Sequence, residues 1–247
     1  KLGTAGSLAS LRKFNFKFFI IIYGDLIFNI DLKKIIQFHQ KKNSECTIVV
    51  HPNNHPYDSD CIEIDDKAKS KKIFFKPHSK KDIPNLCLAG INLINKNLLK
   101  FVQINEFQDF SKDFLKLCEN KVKIYAYNTR EYIKDAGTPE RISQIKKELT
   151  SIKYLKGNIN KKIPAIFLDK DGVINKLNKK KNYQKIDDFI EGTVEAINII
   201  NKTGYLVIII TNQPAIAKGV ISEKKFLKDV NKLSSKLSRN QVYFDRI

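Results

Sequence analysis

Unbroken apolar runs and spaced apolar positions alternate along most of the chain. Phe18-Phe19-Ile20-Ile21-Ile22-Tyr23 is a continuous apolar run that ends at Gly24-Asp25. That pattern predicts a strand buried on both faces, with a functional loop at its C-terminal end. Leu32, Ile35, Ile36 and Phe38 recur at helical spacing and predict a helix over Leu32–Lys41. Cys46–Val50 reads as the next strand, followed by a polar Pro- and Asn-rich loop over His51–Asp60. Ile62–Ile64 and Ile73–Phe75 predict two shorter strands around a turn at Asp65-Asp66. Leu86–Leu93 reads as a strand, Asn97–Val102 as a short helix, Phe110–Glu119 as helical and Val122–Tyr127 as a strand. Thr138-Pro139-Glu140 opens a helix through Leu149, with Thr138 as cap and Pro139 in the first turn, where its missing N–H costs nothing.

Tyr154–Lys162 is basic, contains Gly and Asn, and shows no periodicity, so it reads as a linker. Beyond it, Ala165–Leu168 is a short apolar strand, and Gly192–Thr203 a helix with Val194, Ile197 and Ile200 inward. Tyr205–Ile210 is a second buried strand, and Ser222 caps a helix to about Leu237. The alternation of strand and helix predicts an α/β protein of two Rossmann-like domains with mainly parallel sheets. The expected division is 1–150, a linker over 151–163, and 164–247.

Apolar residues make up 42% of the 247 positions and charged residues 29%, which suits a folded protein with a core. The formal charge of +19 raises the question of a nucleic-acid or membrane partner. The excess is nearly all Lys, spread along the chain among Asn and Ile, with Arg only at Arg12, Arg130, Arg141, Arg239 and Arg246. A dedicated nucleic-acid binder concentrates Arg and aromatics on one element. The expectation is therefore a compositional bias, no specific nucleic acid, and a field that favours anionic substrates. Cys46, Cys61, Cys87 and Cys118 form no CxxC pair and read as buried or free thiols. His39, His51, His55 and His78 show no ligand spacing, and surface or loop roles are expected. The longest apolar run is too short to span a bilayer, and no secretory signal is legible, so the cytoplasm is expected. With no Met anywhere, the chain reads as a fragment at both ends.

Candidate chemistry concentrates in Phe167-Leu168-Asp169-Lys170-Asp171-Gly172-Val173-Ile174-Asn175. Two carboxylates follow a strand end, where open α/β sheets bind ligands. With a cation to offset repulsion from a phosphate, Asp169 could attack phosphorus and form an aspartyl-phosphate. Asp171 could protonate the leaving alkoxide and then activate water. A strand-ending Asp pair can also do no more than cap a turn, but a second strand here ends in Thr211-Asn212-Gln213-Pro214, with groups suited to phosphate oxygens.

Together DKDGVIN and TNQP resemble the haloacid dehalogenase (HAD) superfamily of phosphatases. The closer likeness is to the branch of heptose 1,7-bisphosphate 7-phosphatases and histidinol-phosphatases, and it runs from about Pro164 to Ile247. The resemblance implies Asp169 as nucleophile and Mg²⁺ ligand, Asp171 as acid/base beside the metal, and Thr211 as phosphate binder. Asn212 and Gln213 would line the same pocket, and Lys218 of Ile216-Ala217-Lys218-Gly219 would stand where the family has Arg. Lys170 replaces the usual Arg of this motif, keeping the charge but not the bidentate fork. The family's zinc loop and its last phosphate- and Mg²⁺-binding residues are not in the chain as written, so the domain is expected to be partial, with any structural Zn²⁺ bound elsewhere in a longer protein.

In the first half, Leu2-Gly3-Thr4-Ala5-Gly6-Ser7, Tyr23-Gly24-Asp25 and Lys134-Asp135-Ala136-Gly137-Thr138-Pro139 stand out. An Asp at a strand end can hold a divalent cation beside a triphosphate. With Phe74-Phe75-Lys76-Pro77, these segments resemble sugar-1-phosphate nucleotidyltransferases over about Lys1–Leu149. The resemblance implies Mg²⁺ on Asp25 and Asp135, Gly3 and Thr4 near the nucleotide, and Lys76 near the sugar phosphate. The family's Gly-rich signature loop lies upstream of the sequence given. The leading expectation is thus a bifunctional sugar-phosphate enzyme acting on heptose phosphates and a nucleoside triphosphate. Alternatives are a histidinol-phosphatase or other small phosphate-ester phosphatase, and a non-catalytic basic binding module.

Overall fold

The protein is described by a computed structural model covering residues 1–78, 83–158, 160–177 and 189–247. In chain order the elements are α1 (Gly3–Gly6), β1 (Phe18–Ile22), β2 (Leu26–Asn29), α2 (Leu32–Lys41), β3 (Cys46–His51), β4 (Cys61–Ile64), β5 (Ser70–Phe74) and β6 (Cys87–Asn95). There follow α3 (Lys116–Cys118), β7 (Ile124–Asn128), β8 (Tyr132–Asp135), α4 (Pro139–Leu149), β9 (Ala165–Asp169), α5 (Thr193–Thr203), β10 (Leu206–Ile210), α6 (Pro214–Ala217) and α7 (Glu223–Arg239). Short 3-10 turns cover Ser7–Lys13, Pro56–Asp58, Lys96–Phe101 and Ile152–Leu155, and a π turn covers Phe110–Leu115.

Three of the longer helices, α2, α4 and α7, start at a side-chain cap, whereas α5 follows Gly192 without one. Asp31 accepts from the N–H groups of Lys33 and Lys34, Thr138 from that of Arg141, and Ser222 from that of Lys225. Each satisfies donors that the first helical turn would otherwise leave without a partner.

The first half is built on a six-stranded sheet in the order β5-β4-β6-β3-β7, with β1 sharing an edge of β6 with β4. The expectation of mainly parallel sheets is corrected here. Only β3–β7 runs parallel, while β1–β6, β3–β6, β4–β5 and β4–β6 are antiparallel. The reason is local: β4, β5 and β6 follow one another without a crossover helix, which parallel pairing requires. β1 is also corrected. It is part-buried from Phe18 to Ile21 and exposed at Ile22, not sealed on both faces, because it lies at the edge of β6. By contrast β3 is central and almost wholly buried. Its alternating side chains feed two cores, Ile48 and Val50 into one with Phe110 and Phe114, Val49 into another with Ile35 of α2.

A separate two-stranded ribbon joins β2 to β8, antiparallel, with Leu26 opposite Asp135. Neither strand is predicted by the apolar pattern. In the second half β9 and β10 pair in parallel with Asp169 opposite Ile210. The segment after α7 lies along β10, where Ile209 N–H donates to the Arg246 carbonyl at 2.8 Å. Ile197, Val207, Ile209, Leu233 and Leu237 form its core.

The stretch read as a linker is not a free tether. The Asn29 amide donates to the Tyr154 carbonyl at 3.0 Å, and Lys156 is buried with its ammonium 3.1 Å from Asp245. Asp245 also accepts from Val207 N–H at 2.8 Å. α7 rests on the first half as well: Tyr57 donates to the Ser235 carbonyl at 3.0 Å, and Ser235 donates to that of Ile83 at 2.9 Å. The histidine expectation is corrected at His39. It is buried in α2, its ring nitrogens 2.8 Å from Thr47 Oγ1 and 3.0 Å from Asn95 Oδ1.

Candidate functional site

Two clusters of the expected residues form, one in each half. In the first, the turn after β1 places Asp25 at the head of β2, and the ribbon register brings Asp135 beside it. Ala136 N–H donates to the Asp25 carbonyl at 2.7 Å and locks that register. A methyl group placed on Gly137 would stand 3.4 Å from Asp135 Oδ1 and 3.9 Å from Asp25 Oδ2. The two carboxylates therefore both lie next to Gly137, at ordinary contact distance from where a side chain would begin. Asp135 also takes a hydrogen bond from the Arg141 guanidinium, delivered by the first turn of α4.

Asp60 and Asp109, which sequence reasoning did not single out, belong to the surroundings of Tyr23. Tyr23 packs its ring against Gly90, where a side chain would collide at 3.0 Å. Its hydroxyl is pushed up to about 12, first by burial and then by the charges of Asp109, Asp60 and Asp25, which outweigh the hydrogen bond with Ser111. Asp60 accepts from the backbone N–H of Lys76 at 2.9 Å. Lys76 is exposed at the end of the β4–β5 hairpin. Gly3 and Thr4 pack on the segment Glu106–Phe110, where Thr4 Oγ1 accepts from Phe110 N–H at 2.8 Å and donates to Asp109 at 3.2 Å. Both are thus tied, through Asp109, to the surroundings of Tyr23. His51 ends β3 with its pKa lowered to about 4, by burial and then by the charges of Arg130, His55, Lys134 and Lys156.

In the second cluster Asp169 closes β9 and is exposed, accepting from Lys170 N–H at 2.8 Å. Asp171 follows in the turn at Gly172, whose φ of +96° suits glycine. The Asp171 carboxylate is held from three sides. Lys170 Nζ lies 2.6 Å and Asn175 Nδ2 2.9 Å from Oδ1, and Gln213 Nε2 lies 2.8 Å from Oδ2. Part burial raises its pKa, but the hydrogen bonds from Lys170, Asn175 and Gln213 win and hold it below the usual carboxylate range. Gln213 also donates to Thr211 Oγ1 at 2.6 Å, so the two motifs read from sequence are joined. Thr211 follows β10 next to Asp169, because parallel pairing aligns the two strand ends. Asn212 and Lys218 are exposed beside it, Lys218 closing the short helix α6. Lys170 is fully buried.

Carboxylate oxygens suit a hard cation such as Mg²⁺, and Asp25 and Asp135, both beside Gly137, are the residues that would hold one in the first half. Among the described residues no group of three or more His, Cys, Asp or Glu converges on a metal position. Two carboxylates need further oxygens, of the kind a triphosphate carries. At the second cluster Asp169 is the carboxylate open to an ion, since both Asp171 oxygens are engaged.

The profile of the nucleotidyl transferase family matches residues 1–152. The chain belongs to that family. Among relatives of this nucleotidyl transferase, a glucose-1-phosphate adenylyltransferase of Clostridium novyi (strain NT) is 29% identical over 165 residues, covering 62% of this chain and 43% of that protein. A putative mannose-1-phosphate guanyltransferase of Sulfolobus acidocaldarius is 31% identical over 163 residues, covering 65% of this chain and 44% of that protein. A different relative, a D-glycero-beta-D-manno-heptose-1,7-bisphosphate 7-phosphatase of Vibrio cholerae serotype O1, is 39% identical over 84 residues, 34% of this chain and 45% of that protein. The chain thus spans less than half the length of these curated relatives. The solved structure of HddC from Yersinia pseudotuberculosis complexed with GMP-PN shares the fold, with a TM-score of 0.50 and 22% identity over 60% of this chain and 63% of that one. Among the described residues no helix is long and apolar enough to cross a membrane.

Proposed function

We propose that the chain is part of a cytoplasmic, bifunctional sugar-phosphate enzyme, a sugar-1-phosphate nucleotidyltransferase joined to a HAD-type phosphatase. The observation that carries the first activity is the convergence of Asp25 and Asp135 beside Gly137 within a nucleotidyl transferase domain. A bound Mg²⁺ would supply charge neutralisation of the triphosphate. The chain's own groups do the positioning. Asp25 and Asp135 would hold that ion, Arg141 orients Asp135, and Lys76 would offer a cation to the sugar phosphate. A sugar 1-phosphate oxygen then attacks the nucleotide α-phosphorus and pyrophosphate leaves, with proximity and charge stabilisation doing most of the catalysis.

The phosphatase reading is supported by Asp169 exposed at a strand end beside Thr211, and by the similarity to a heptose bisphosphate phosphatase. Asp169 would attack phosphorus and form an aspartyl-phosphate, with Thr211, Asn212 and Lys218 contacting phosphate oxygens. Asp171, ionised by its present hydrogen bonds, would have to take up a proton before passing it to the leaving oxygen, and as a carboxylate would then take a proton from the water that hydrolyses the aspartyl-phosphate. To do so it must first exchange its hydrogen bonds with Lys170 or Gln213 for the substrate. The favoured substrates are heptose phosphates, serving nucleotide-activated heptose for cell-surface polysaccharide.

Two assays on the full-length protein test this. Pyrophosphate release from a nucleoside triphosphate with heptose 1-phosphate is expected to fall at least about a hundredfold in Asp25→Asn and Asp135→Asn, the scale of losing a transition-state electrostatic contact. Phosphate release from heptose 1,7-bisphosphate is expected to vanish in Asp169→Asn. Equal release by that variant and the parent would sink the phosphatase assignment.

A further inference from the structure

The β4–β5 hairpin meets β6 through one register pair, Cys61 opposite Cys87, while its turn meets β7 through a bridge of Lys69 to Tyr125. The flanking hydrogen bonds show what kind of pair it is. Ile62 N–H donates to the Leu86 carbonyl at 3.0 Å and Leu88 N–H to the Asp60 carbonyl at 2.9 Å. Both bonds lie outside the two cysteines, so this is a non-hydrogen-bonded antiparallel pair. Such positions bring side chains closest together, with Cα atoms about 4.5 Å apart, within the range that a disulfide spans. The two sulfurs stand 3.3 Å apart. Both side chains are buried, in a small cluster with Ile83, Tyr57 and Phe74.

We propose that Cys61 and Cys87 are a disulfide-forming site that takes a small, uncharged two-electron oxidant of the peroxide class. One thiol, as thiolate, attacks a peroxide oxygen; the O–O bond breaks, leaving a sulfenic acid and hydroxide. The second thiol attacks that sulfur, the S–O bond breaks, and water leaves. In sum two thiols and one peroxide give one disulfide and two waters, the sulfurs losing two electrons and the peroxide gaining them. The enclosure by Tyr57, Phe74 and Ile83 favours a reagent no larger than hydrogen peroxide. The Cys61 thiol is pushed up, by the hydrogen bond with Cys87 and then by burial, so the reaction is slow and quickens with rising pH.

The consequence is mechanical. Asp60 precedes Cys61, and Lys76, whose N–H it accepts, follows β5, so the pair sits at the root of the hairpin. A covalent link there would staple the hairpin to β6. The test uses the purified chain treated with hydrogen peroxide, alkylated, and digested without reductant. The expected result is a peptide linking Cys61 to Cys87, a loss of two hydrogens in intact mass, and reversal of both by dithiothreitol. Amide exchange over residues 61–74 should slow several-fold in the oxidised chain. Cys61→Ser and Cys87→Ser should each abolish the link. Separate oxidation of the two thiols without a linked peptide, or no reaction of either at doses that oxidise Cys46 or Cys118, would overturn the proposal. So would a linked peptide that leaves exchange over the hairpin unchanged.

Discussion

The ammonium of Lys170 lies 2.6 Å from the carboxylate of Asp171, and the lysine side chain is wholly out of contact with solvent. Removing one partner of such a pair strands the other charge. Lys170→Met should therefore destabilise the protein by about 3 kcal/mol, the scale for breaking a buried pair. Urea unfolding at neutral pH checks it. Because the folded-state pKa of Asp171 is lowered, the stabilisation is present above the ordinary carboxylate range and is lost as pH falls through the folded value. The gap between parent and variant should close in acid.

The nearness of both carboxylates to Gly137 gives a second test. Gly137 has no positive φ, so Ala fits the backbone, yet its methyl group would stand 3.4 Å from Asp135 Oδ1. Gly137→Ala should leave stability within about 0.5 kcal/mol. Half-saturation by Mg²⁺ in pyrophosphate release should rise about tenfold, a cost of roughly 1.4 kcal/mol in the binding equilibrium. An unchanged Mg²⁺ dependence would separate Gly137 from the metal.

The packing of residues 152–157 predicts intolerance at Gly157. Its φ is +66°, and a methyl group there would stand 2.0 Å from the Arg130 carbonyl oxygen. Gly157→Ala should cost more than about 2 kcal/mol, combining backbone strain with a collision that neither side can relieve. A lowered melting temperature checks this, and an unchanged one would mean that the stretch is a loose tether after all.

His51 predicts an acid-labile contribution. Its pKa is lowered from 6.5 to about 4 in the folded protein, so between these values the unfolded chain binds a proton that the folded chain refuses. Stability from this group is complete above pH 6.5 and declines as pH falls towards about 4. His51→Gln should flatten the dependence of the urea midpoint on pH over that interval. His39 and His55 are also lowered, so some slope should survive.

Helices were the most legible part of the sequence. The limits of α2 and α4 follow from apolar spacing and from Thr138-Pro139, because capping is decided within a few residues. The apolar runs at β3 and β6 were legible because burial writes itself into residue type, whereas β9 and β10 are apolar runs left largely part-buried or exposed. Pairing partners were not legible. Ile62–Ile64 and Ile73–Phe75 read as strands around a turn, but the residues alone do not say that β4 is the one placed beside β6. β2 and β8 escaped because their strands are short and gain their stability from each other across a long separation. The nearness of Asp169 and Asp171 was legible because they share one turn, but spacing alone did not separate a site from a turn cap. Asp25 and Asp135 were joined only by resemblance. Lys170 was read only as a stand-in for the motif's Arg, and its full burial was not legible because burial depends on the surrounding fold. Tyr23, Asp60 and Asp109 carry no motif that would have singled them out together.

The β2–β8 ribbon ties the head of one early strand to the tail of a late one, Leu26 against Asp135. Contacts so distant along the chain are slow to form, since a large loop must close before they repay its entropy. On the ribosome, Asp25 emerges long before its partner and waits through the making of the whole central sheet. The carboxylate pair is thus assembled among the last features of the first half, and an incompletely folded chain would have no means of holding the ion.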